Sequence, residues 1–244
     1  EDAGKLLHDE SFHGSLVDLN RCGVPLIEIV SEPDMRSPQE AKAYLETIRS
    51  ILQYLDISDC KMQEGSIRCD VNVSVMEAGS GKFGTRCEMK NVNSFSGAVR
   101  AIEYEEKRQI AVLEAGGVIE QETRKWDDVK GESILLRSKE DAQDYRYFPE
   151  PDLPTIVLDN EYVDRIRASI PELPNVKIAR YIRDYGLTQT DATLLADDMQ
   201  KARLFEDTIA LNKCTPKSIC NWILGDISKC INEKNITIEG LGVT

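Results

Sequence analysis

Two segments of the chain alternate apolar and polar residues, which is the period of a β-strand. The first covers residues 66–75 and the second covers residues 85–90, with two glycines between them in residues 77–82. A glycine-rich connection of this length is typical of a β-hairpin. Because strand side chains alternate between two faces, the pattern predicts a sheet with one buried face and one polar face. The polar members are Arg68, Asp70, Asn72, Arg86, Glu88 and Lys90.

The polar face of this predicted hairpin combines carboxylates with cations. Asp70 and Glu88 supply the carboxylates, and Arg68 and Lys90 supply positive charge. Hard divalent cations prefer oxygen ligands, and phosphate oxygens pair with cationic side chains. The pattern favours a divalent metal bound together with a phosphorylated substrate. The alternative is a solvated sheet face without a ligand, and the alternation does not separate the two.

The turn of the hairpin contains Gly81-Lys82, which invites comparison with a nucleotide-binding loop. A Walker loop needs a glycine five residues before this pair and a serine or threonine after it. Met76 and Phe83 occupy those positions. We therefore interpret the segment as a hairpin turn.

The composition of the chain limits its class. The 244 residues carry a net charge of -13. Residues 1–170 contain 21 Lys+Arg and 33 Asp+Glu, whereas residues 171–244 contain 9 and 10. This balance argues against broad electrostatic binding to nucleic acid, although it is compatible with a local basic track.

Cysteine usage and hydropathy indicate the compartment. Seven cysteines without a Cys-x-x-Cys pair predict reduced thiols rather than a zinc site or a disulfide framework. The sequence contains neither an apolar run of 18 residues nor the pattern of a signal peptide. We expect a cytoplasmic protein without a membrane span.

Other patterns place helices and strands around the hairpin. Residues 15–29 predict strand material, and the apolar run 24–30 contains one carboxylate, Glu28. Ser37 with Glu40 forms a capping box that predicts a helix start. A second helix is predicted from Ser94 or Ser96 to Ala115. Further strands are predicted at residues 118–123, 133–137 and 155–158.

The last quarter of the chain changes from strand patterns to helical ones. Helices are predicted at residues 176–185, at 191–211 and from Thr215 onward. Trp126 and Trp222 are predicted as core or interface aromatic residues. The resulting fold class is α+β, a mainly antiparallel sheet with helices followed by an all-α segment. The predicted domains are residues 1–170 and 171–244.

Seven motifs, in order along the chain, carry a resemblance to a known family. They are residues 1–5, 15–21, 25–34, 64–72, 90–95, 121–124 and 144–152, with Pro171-Glu172-Leu173-Pro174 as the most recognisable later piece. Together they resemble the B subunit of the bacterial aspartyl/glutamyl-tRNA amidotransferase. The resemblance implies a partial catalytic cradle related to glutamine synthetase, followed by helices that lead to a tRNA-contacting tail.

The resemblance also implies an activity. The side-chain carboxylate of glutamate or aspartate misacylated on tRNA would be activated by ATP with Mg²⁺. It would then be amidated with ammonia from a partner amidase, the A subunit, in a complex that also holds a small C subunit. Phosphorylation gives a carboxylate the leaving group that it lacks, and Mg²⁺ neutralises phosphate charge.

The resemblance further implies roles for individual residues, matched by motif. Metal ligands would be Glu1, Glu28 and Glu88, with Glu64 and Asp70 as further ligands or supports. Phosphate or acyl phosphate would be held by Arg68 and Lys90, with Asn91 and Arg146 also in the substrate site. Asp152 and Tyr145 would line the ammonia route.

Two other functions stay open beside this one. The hairpin chemistry also suits a ligase that uses Mg²⁺ and ATP on a small carboxylic acid without tRNA. A non-catalytic scaffold that docks a partner on its acidic face is the third possibility. The family has further metal ligands before the position of Glu1 and a tail domain after the last residue, so we expect this chain to hold only part of the active site.

We therefore expect the purified chain by itself not to convert Glu-tRNA into Gln-tRNA when supplied with ATP and ammonia. Chromatographic analysis of the amino acid released from the tRNA measures this. Accumulation of glutamine above the enzyme-free background would refute the expectation.

Overall fold

The computed structural model describes residues 5–8, 14–20, 22–138 and 154–242. The chain divides into two compact units, residues 1–36 and 37–244. The predicted boundary near residue 170 stays a prediction. Among the described helices, none is long and apolar enough to cross a membrane.

Within its described residues, the first unit contains one antiparallel strand pair. β1 (Lys5–His8) pairs with β2 (Ser15–Asp18), with Lys5 opposite Asp18. The strand predicted over residues 15–29 is therefore limited to its first four residues. The apolar run 24–30 has no regular secondary structure, and Leu26 and Val30 are exposed. An apolar run of this length favours a strand only when a partner strand completes its hydrogen bonds.

The second unit begins with a helix and a four-stranded sheet. Helix α1 spans Pro38–Tyr54, and the strands are β3 (Cys69–Val73), β4 (Cys87–Val92), β5 (Glu122–Asp127) and β6 (Glu132–Ser138). The strand order is β3-β4-β5-β6. β3 and β4 are antiparallel, as are β5 and β6, whereas β4 and β5 are parallel. The α+β class and the mainly antiparallel sheet are confirmed, with one parallel pair that makes the sheet mixed.

The parallel pair follows from the connection between its strands. Helix α2 (Phe95–Glu114) lies between β4 and β5 and returns the chain to the same end of the sheet. A parallel pair requires such a crossover, whereas a tight turn produces an antiparallel one. The strand predicted at residues 118–123 was wrong in its position, since β5 begins at Glu122.

Serine side chains start both of these helices. Ser37 Oγ accepts a hydrogen bond from the Glu40 backbone N–H at 3.2 Å, as the capping box predicts. Ser94 Oγ accepts one from the Gly97 N–H at 2.9 Å, so Ser94 rather than Ser96 is the cap of α2. Each cap satisfies a backbone donor that the helix itself leaves without a partner.

The apolar face of the sheet packs against α2. Met89, Val92 and Trp126 from the strands are buried with Ala98 and Ala101 of the helix. Small alanine side chains allow the helix backbone to approach the sheet closely. The apolar halves of the predicted alternating strands therefore form a shared core.

The last described segment of the second unit is mainly helical. It contains α3 (Asn160–Ser169), α4 (Pro174–Tyr185), α5 (Gln189–Ala196), α6 (Met199–Ala210), α7 (Pro216–Trp222), a π-helical turn (Ile223–Ile227), α8 (Ser228–Lys234) and a short 3₁₀ turn (Glu239–Leu241). Its core contains Tyr181, Leu195, Phe205 and Ile223. The all-α end of the chain is thus confirmed.

Several details of this segment differ from the sequence-based predictions. The single helix predicted over residues 191–211 is broken, because Asp198 Oδ1 accepts hydrogen bonds from the Gln200 and Lys201 N–H groups and starts α6 anew. The strand predicted at residues 155–158 was wrong: this stretch is irregular, and α3 follows it. Trp126 is a core residue, one of the two predicted alternatives; Trp222 is 62% exposed and therefore not in the core, and its alternative role at an interface stays a prediction.

Tyr54 links α1 to the helical segment. Its hydroxyl donates to the backbone carbonyl of Ala196 at 2.6 Å, and its ring is buried. Burial, followed by the charges of Glu206 and three other acids, raises the pKa of Tyr54, so the hydroxyl stays a proton donor at neutral pH. The contact ties the end of α1 to the end of α5.

A buried polar network lies between α2 and the sheet. The fully buried Glu105 accepts hydrogen bonds from Arg108 Nη2 at 2.7 Å and from Gln109 Nε2 at 2.8 Å. Gln109 in turn accepts from the Val75 N–H and donates to the Val73 carbonyl, which closes the end of β3. Burial opposes ionisation of Glu105, but the hydrogen bonds from Arg108 and Gln109 outweigh it, so the net pKa of Glu105 is lowered.

This network predicts a pH-dependent contribution to stability. Since the pKa of Glu105 is lower in the folded state, its ionised form stabilises the fold above the unfolded glutamate pKa, about 4.3, and this stabilisation is lost as the pH falls through the folded value. We expect Glu105→Gln to lower the free energy of unfolding at pH 7 by roughly 2–4 kcal/mol, and by less in acid.

Urea denaturation at pH 7 and at about pH 3, which lies below the ordinary glutamate pKa, measures the difference. Glu106→Gln, on the exposed side of the same helix, is the matched control and should change stability little at either pH. An effect of Glu105→Gln that does not depend on pH would contradict the ionised network.

Candidate functional site

The polar face of β3, β4 and β5, on the side of the sheet away from α2, is the candidate site. Along β3 and β4 the alternation predicted from the sequence is present: Asp70 and Asn72 are exposed, whereas Cys87 and Met89 are buried. Asn72 pairs with Glu88, and Glu88 pairs with Thr123 of β5. Three polar residues from three strands therefore form one row across the face.

The pairing between β3 and β4 contains a bulge that brings Asp70 and Lys90 together. Cys69 pairs with Val92, but Val71 pairs with Met89, so β4 has one more residue than β3 in this interval. The extra residue accompanies Asn91, whose φ is 66°. Bulges of this kind bend a strand and redirect its side chains.

Lys90 lies between two carboxylates. Its Nζ is 2.5 Å from Asp70 Oδ2 and 3.2 Å from Glu88 Oε1. Partial burial lowers the pKa of Lys90, but the hydrogen bonds to Asp70 and Glu88 outweigh this effect and the net pKa is raised. The ammonium is therefore fully charged at neutral pH and neutralises one of the two negative charges beside it.

Thr123 contacts the second oxygen of Glu88. Thr123 Oγ1 donates to Glu88 Oε2 at 2.9 Å, and Thr123 is 1% exposed. The side chain of Glu88 is 17% exposed, less than those of Asp70 and Lys90. Sequence reasoning gave Thr123 no role, because the predicted strand ended there and its pairing with Glu88 is a register between distant strands.

The other predicted site residues are distributed as follows. Arg68 is exposed, one residue before β3. Glu64 is exposed in the preceding loop, and its carboxylate pairs with Lys61 Nζ at 2.9 Å. Glu28 is an exposed residue of the first unit. Glu1, Tyr145, Arg146 and Asp152 lie outside the described residues.

Asn91 has a structural contact in addition to its predicted place in the substrate site. Its Nδ2 donates to the backbone carbonyl of Trp126 at 3.1 Å. Asparagine adopts the left-handed backbone region at less cost than most residues, and here its amide also fastens β4 to the end of β5. The role of Asn91 toward a substrate stays a prediction.

Two carboxylates on this face, those of Asp70 and Glu88, could bind a metal ion, and both lie beside Lys90. Within the part of the chain that the structure describes, no group of three or more histidine, cysteine or acidic side chains could hold a metal. Mg²⁺ is often bound by only one or two carboxylates, with the remaining ligands from substrate phosphates and water. Asp70 and Glu88 fit this kind of site.

The cysteines of β3 and β4 belong to the apolar half of the alternation, and Cys87 is buried with its Sγ 3.4 Å from Arg108 Nη2 of α2. All seven cysteines are free thiols. Burial raises the pKa of Cys69 and of Cys87 to about 11. As free thiols, both therefore stay protonated at neutral pH.

The fold and the face define an α+β protein whose sheet presents acidic and basic side chains together on one face. A family model described as the GatB/GatE catalytic domain matches residues 1–164. The chain belongs to this family.

Three curated relatives that match the chain are B subunits of an aspartyl/glutamyl-tRNA(Asn/Gln) amidotransferase, which is consistent with the family. The chain is 58% identical over 239 residues, 98% of its length, to the one from Caldicellulosiruptor bescii. It is 53% identical over its whole length to the one from Thermoanaerobacter sp., and 52% identical to one from Clostridium acetobutylicum. The matches cover 50% and 51% of these relatives, so the chain spans about half their length.

The bulge predicts distinct effects of two substitutions at Asn91. Asn91→Ala removes the hydrogen bond to Trp126 and places a less tolerant residue at positive φ, so we expect a loss of about 1–3 kcal/mol in the free energy of unfolding. Asn91→Gly also loses the hydrogen bond, but glycine adopts the positive φ without strain. This variant should therefore be destabilised less than Asn91→Ala. Urea denaturation measures both, with the exposed Asn93→Ala as control. Equal stability of Asn91→Ala and the unaltered protein would contradict this description of the bulge.

Proposed function

We propose that the polar face of β3, β4 and β5 is part of the site at which a tRNA-bound glutamate or aspartate side chain is phosphorylated by ATP and then amidated. The observation that carries this proposal is Lys90, held between Asp70 and Glu88 on one sheet face. The names of the relatives, which describe amidotransferases of aspartyl- and glutamyl-tRNA, support the substrate.

The proposed reaction has two steps. An oxygen of the substrate carboxylate takes the γ-phosphoryl group of ATP, and ADP leaves. The nitrogen of ammonia then attacks the carbonyl carbon, inorganic phosphate departs with its bridging oxygen, and a proton is lost to give the amide. The first step makes a carboxylate reactive, since it has no leaving group of its own.

In this proposal Lys90 and Arg68 bind the transferred phosphoryl group. An ammonium that is already positioned by two carboxylates loses little further conformational entropy when a phosphate arrives. Asn91 and Arg146 are proposed to contact the substrate. Because Asp70 and Glu88 lower the net charge around Lys90, an anionic substrate is attracted most strongly when a divalent cation accompanies it.

Glu88 and Asp70 are the residues of this face proposed to hold Mg²⁺, with Glu1, Glu28 and Glu64 as further proposed ligands. The ion would neutralise phosphate charge when bound. The protein's own task is to keep Glu88 oriented and to present Lys90 toward the phosphate.

The partners are proposed from the family. An amidase subunit would supply ammonia, a small C subunit would complete a heterotrimer, and Asp152 and Tyr145 would line the ammonia route. The setting would be cytoplasmic, where charged tRNA is available.

Divalent-cation binding tests the face itself. We expect Asp70→Asn and Glu88→Gln each to weaken Mn²⁺ affinity by about 10-fold or more, as loss of a ligand or its support does. Isothermal titration calorimetry with and without ATP measures this, and Glu106→Gln on the far side of α2 should have no effect.

Two outcomes would favour the other functions. Unchanged Mn²⁺ affinity in a variant that carries both Asp70→Asn and Glu88→Gln would favour a docking scaffold. ATP turnover with free glutamate, independent of charged tRNA, would favour a ligase acting on a small acid. For the complete amidotransferase, the proposal requires ATP turnover that depends on the charged tRNA.

A further inference from the structure

The two oxygens of the Glu88 carboxylate have different partners, Thr123 and Lys90. Oε2 accepts the hydrogen bond of Thr123 Oγ1 at 2.9 Å, while Oε1 is 3.2 Å from Lys90 Nζ. An ionised carboxylate is an acceptor only, so the threonine hydroxyl has to be the donor in this pair. The hydroxyl hydrogen of Thr123 therefore points toward Glu88 Oε2.

The contact depends on the parallel register of β4 and β5. Glu88 pairs with Thr123, so the two side chains stand side by side on the same face of the sheet. Threonine is branched at Cβ and has restricted χ1 freedom, which keeps the hydroxyl in a narrow range of directions. Lys125, the next residue of β5 on this face, is exposed, whereas Thr123 is 1% exposed.

Burial makes this hydrogen bond more effective than an exposed one. A charge-assisted hydrogen bond is stronger than a neutral one, and the surrounding protein excludes the water that would compete for the carboxylate. Glu88 is itself only 17% exposed. The threonine therefore fixes the rotation of the carboxylate about its last bond and determines which oxygen faces Lys90.

We propose that Thr123 is a positioning residue of the phosphoryl-transfer site: its hydroxyl holds Glu88 Oε2 so that Oε1 is presented toward Lys90 and an incoming divalent cation. This rests on the function proposed for the polar face. Hydrogen bonds that orient a metal-binding carboxylate commonly change metal affinity by about 10–100-fold when they are removed. Thr123 itself would contact neither the cation nor the substrate.

A purely structural role for the hydroxyl makes a different prediction. In that case removal of the hydroxyl would lower the stability of the sheet and leave cation binding unchanged. Ser133 offers a matched comparison, because it is another buried hydroxyl of the same sheet, and it faces Glu105 and Arg124 on the α2 side.

The test is Mn²⁺ titration of the full chain, with thermal unfolding measured in parallel. We expect Thr123→Val to weaken Mn²⁺ affinity by about 10-fold or more and Thr123→Ser, which retains the donor, to stay within about threefold. Ser133→Ala should keep the affinity of the unaltered protein even where it lowers the unfolding temperature. If Thr123→Val does not fold, Thr123→Ala removes the same donor without the branched side chain and should give the same loss.

Glu88→Gln, measured beside these variants, distinguishes the possible failures. If Glu88→Gln weakens Mn²⁺ binding but the folded hydroxyl-free variant does not, the positioning role is overturned and the proposed function of the face stands. If Thr123→Ser loses as much affinity as Thr123→Val, the hydroxyl is not the cause and the positioning role is likewise overturned. If Glu88→Gln leaves Mn²⁺ binding unchanged, both the positioning role and the proposed function are overturned.

Discussion

Burial of Met89 and Trp126 beneath α2 is the constraint on which the rest of the sheet depends. Both side chains are at most 1% exposed and belong to one core with Ala98 and Ala101. Burial of a large apolar side chain stabilises a fold by about 1.5–3 kcal/mol. This determines which residues of β4 and β5 face the core. A slip of one residue would turn these side chains to solvent and would turn Glu88 and Lys90 into the core. The polar face therefore exists because the opposite face is apolar.

The carboxylates on the two sides of the sheet differ in burial and in their hydrogen-bond and ion-pair partners. On the α2 side, Glu105 is fully buried and its oxygens receive protein donors from Arg108 and Gln109. On the other side, Glu88 accepts a hydrogen bond from Thr123. Lys90 forms ion pairs with both Glu88 and the half-exposed Asp70. The first arrangement is closed and contributes to stability. In the second, the Asp70–Lys90 pair is half-exposed, and exchange of such a partner costs little because exposed ion pairs contribute only about 0–1 kcal/mol.

Features governed by local chemistry were predictable from the sequence. The alternation of residues 66–75 and 85–90 gave the correct faces, Ser37 gave the correct start of α1, and the start of α2 was one of the two serines predicted. The side-chain group of Asp70, Glu88 and Lys90 followed directly from the alternation. Each of these signals operates within a few residues, where steric and hydrogen-bonding preferences are strong.

Features that depend on distant partners were not predictable in the same way. The position of β5 is set by its pairing with β4 and β6, and the predicted strand ended where β5 begins. Thr123 was missed for that reason. The break between α5 and α6 depends on Asp198 acting as a cap inside an otherwise helical pattern. The roles of Glu28 and Glu64 toward a metal require geometry that a sequence pattern does not contain, and they stay predictions.

Anomalous scattering from crystals grown with Mn²⁺ and a non-hydrolysable ATP analogue tests the central claim most directly. The account predicts a metal peak at bonding distance, about 2.1 Å, from Glu88 Oε1, with Lys90 Nζ hydrogen-bonded to the terminal phosphate. A metal and nucleotide bound elsewhere, with Lys90 still between Asp70 and Glu88, would contradict it.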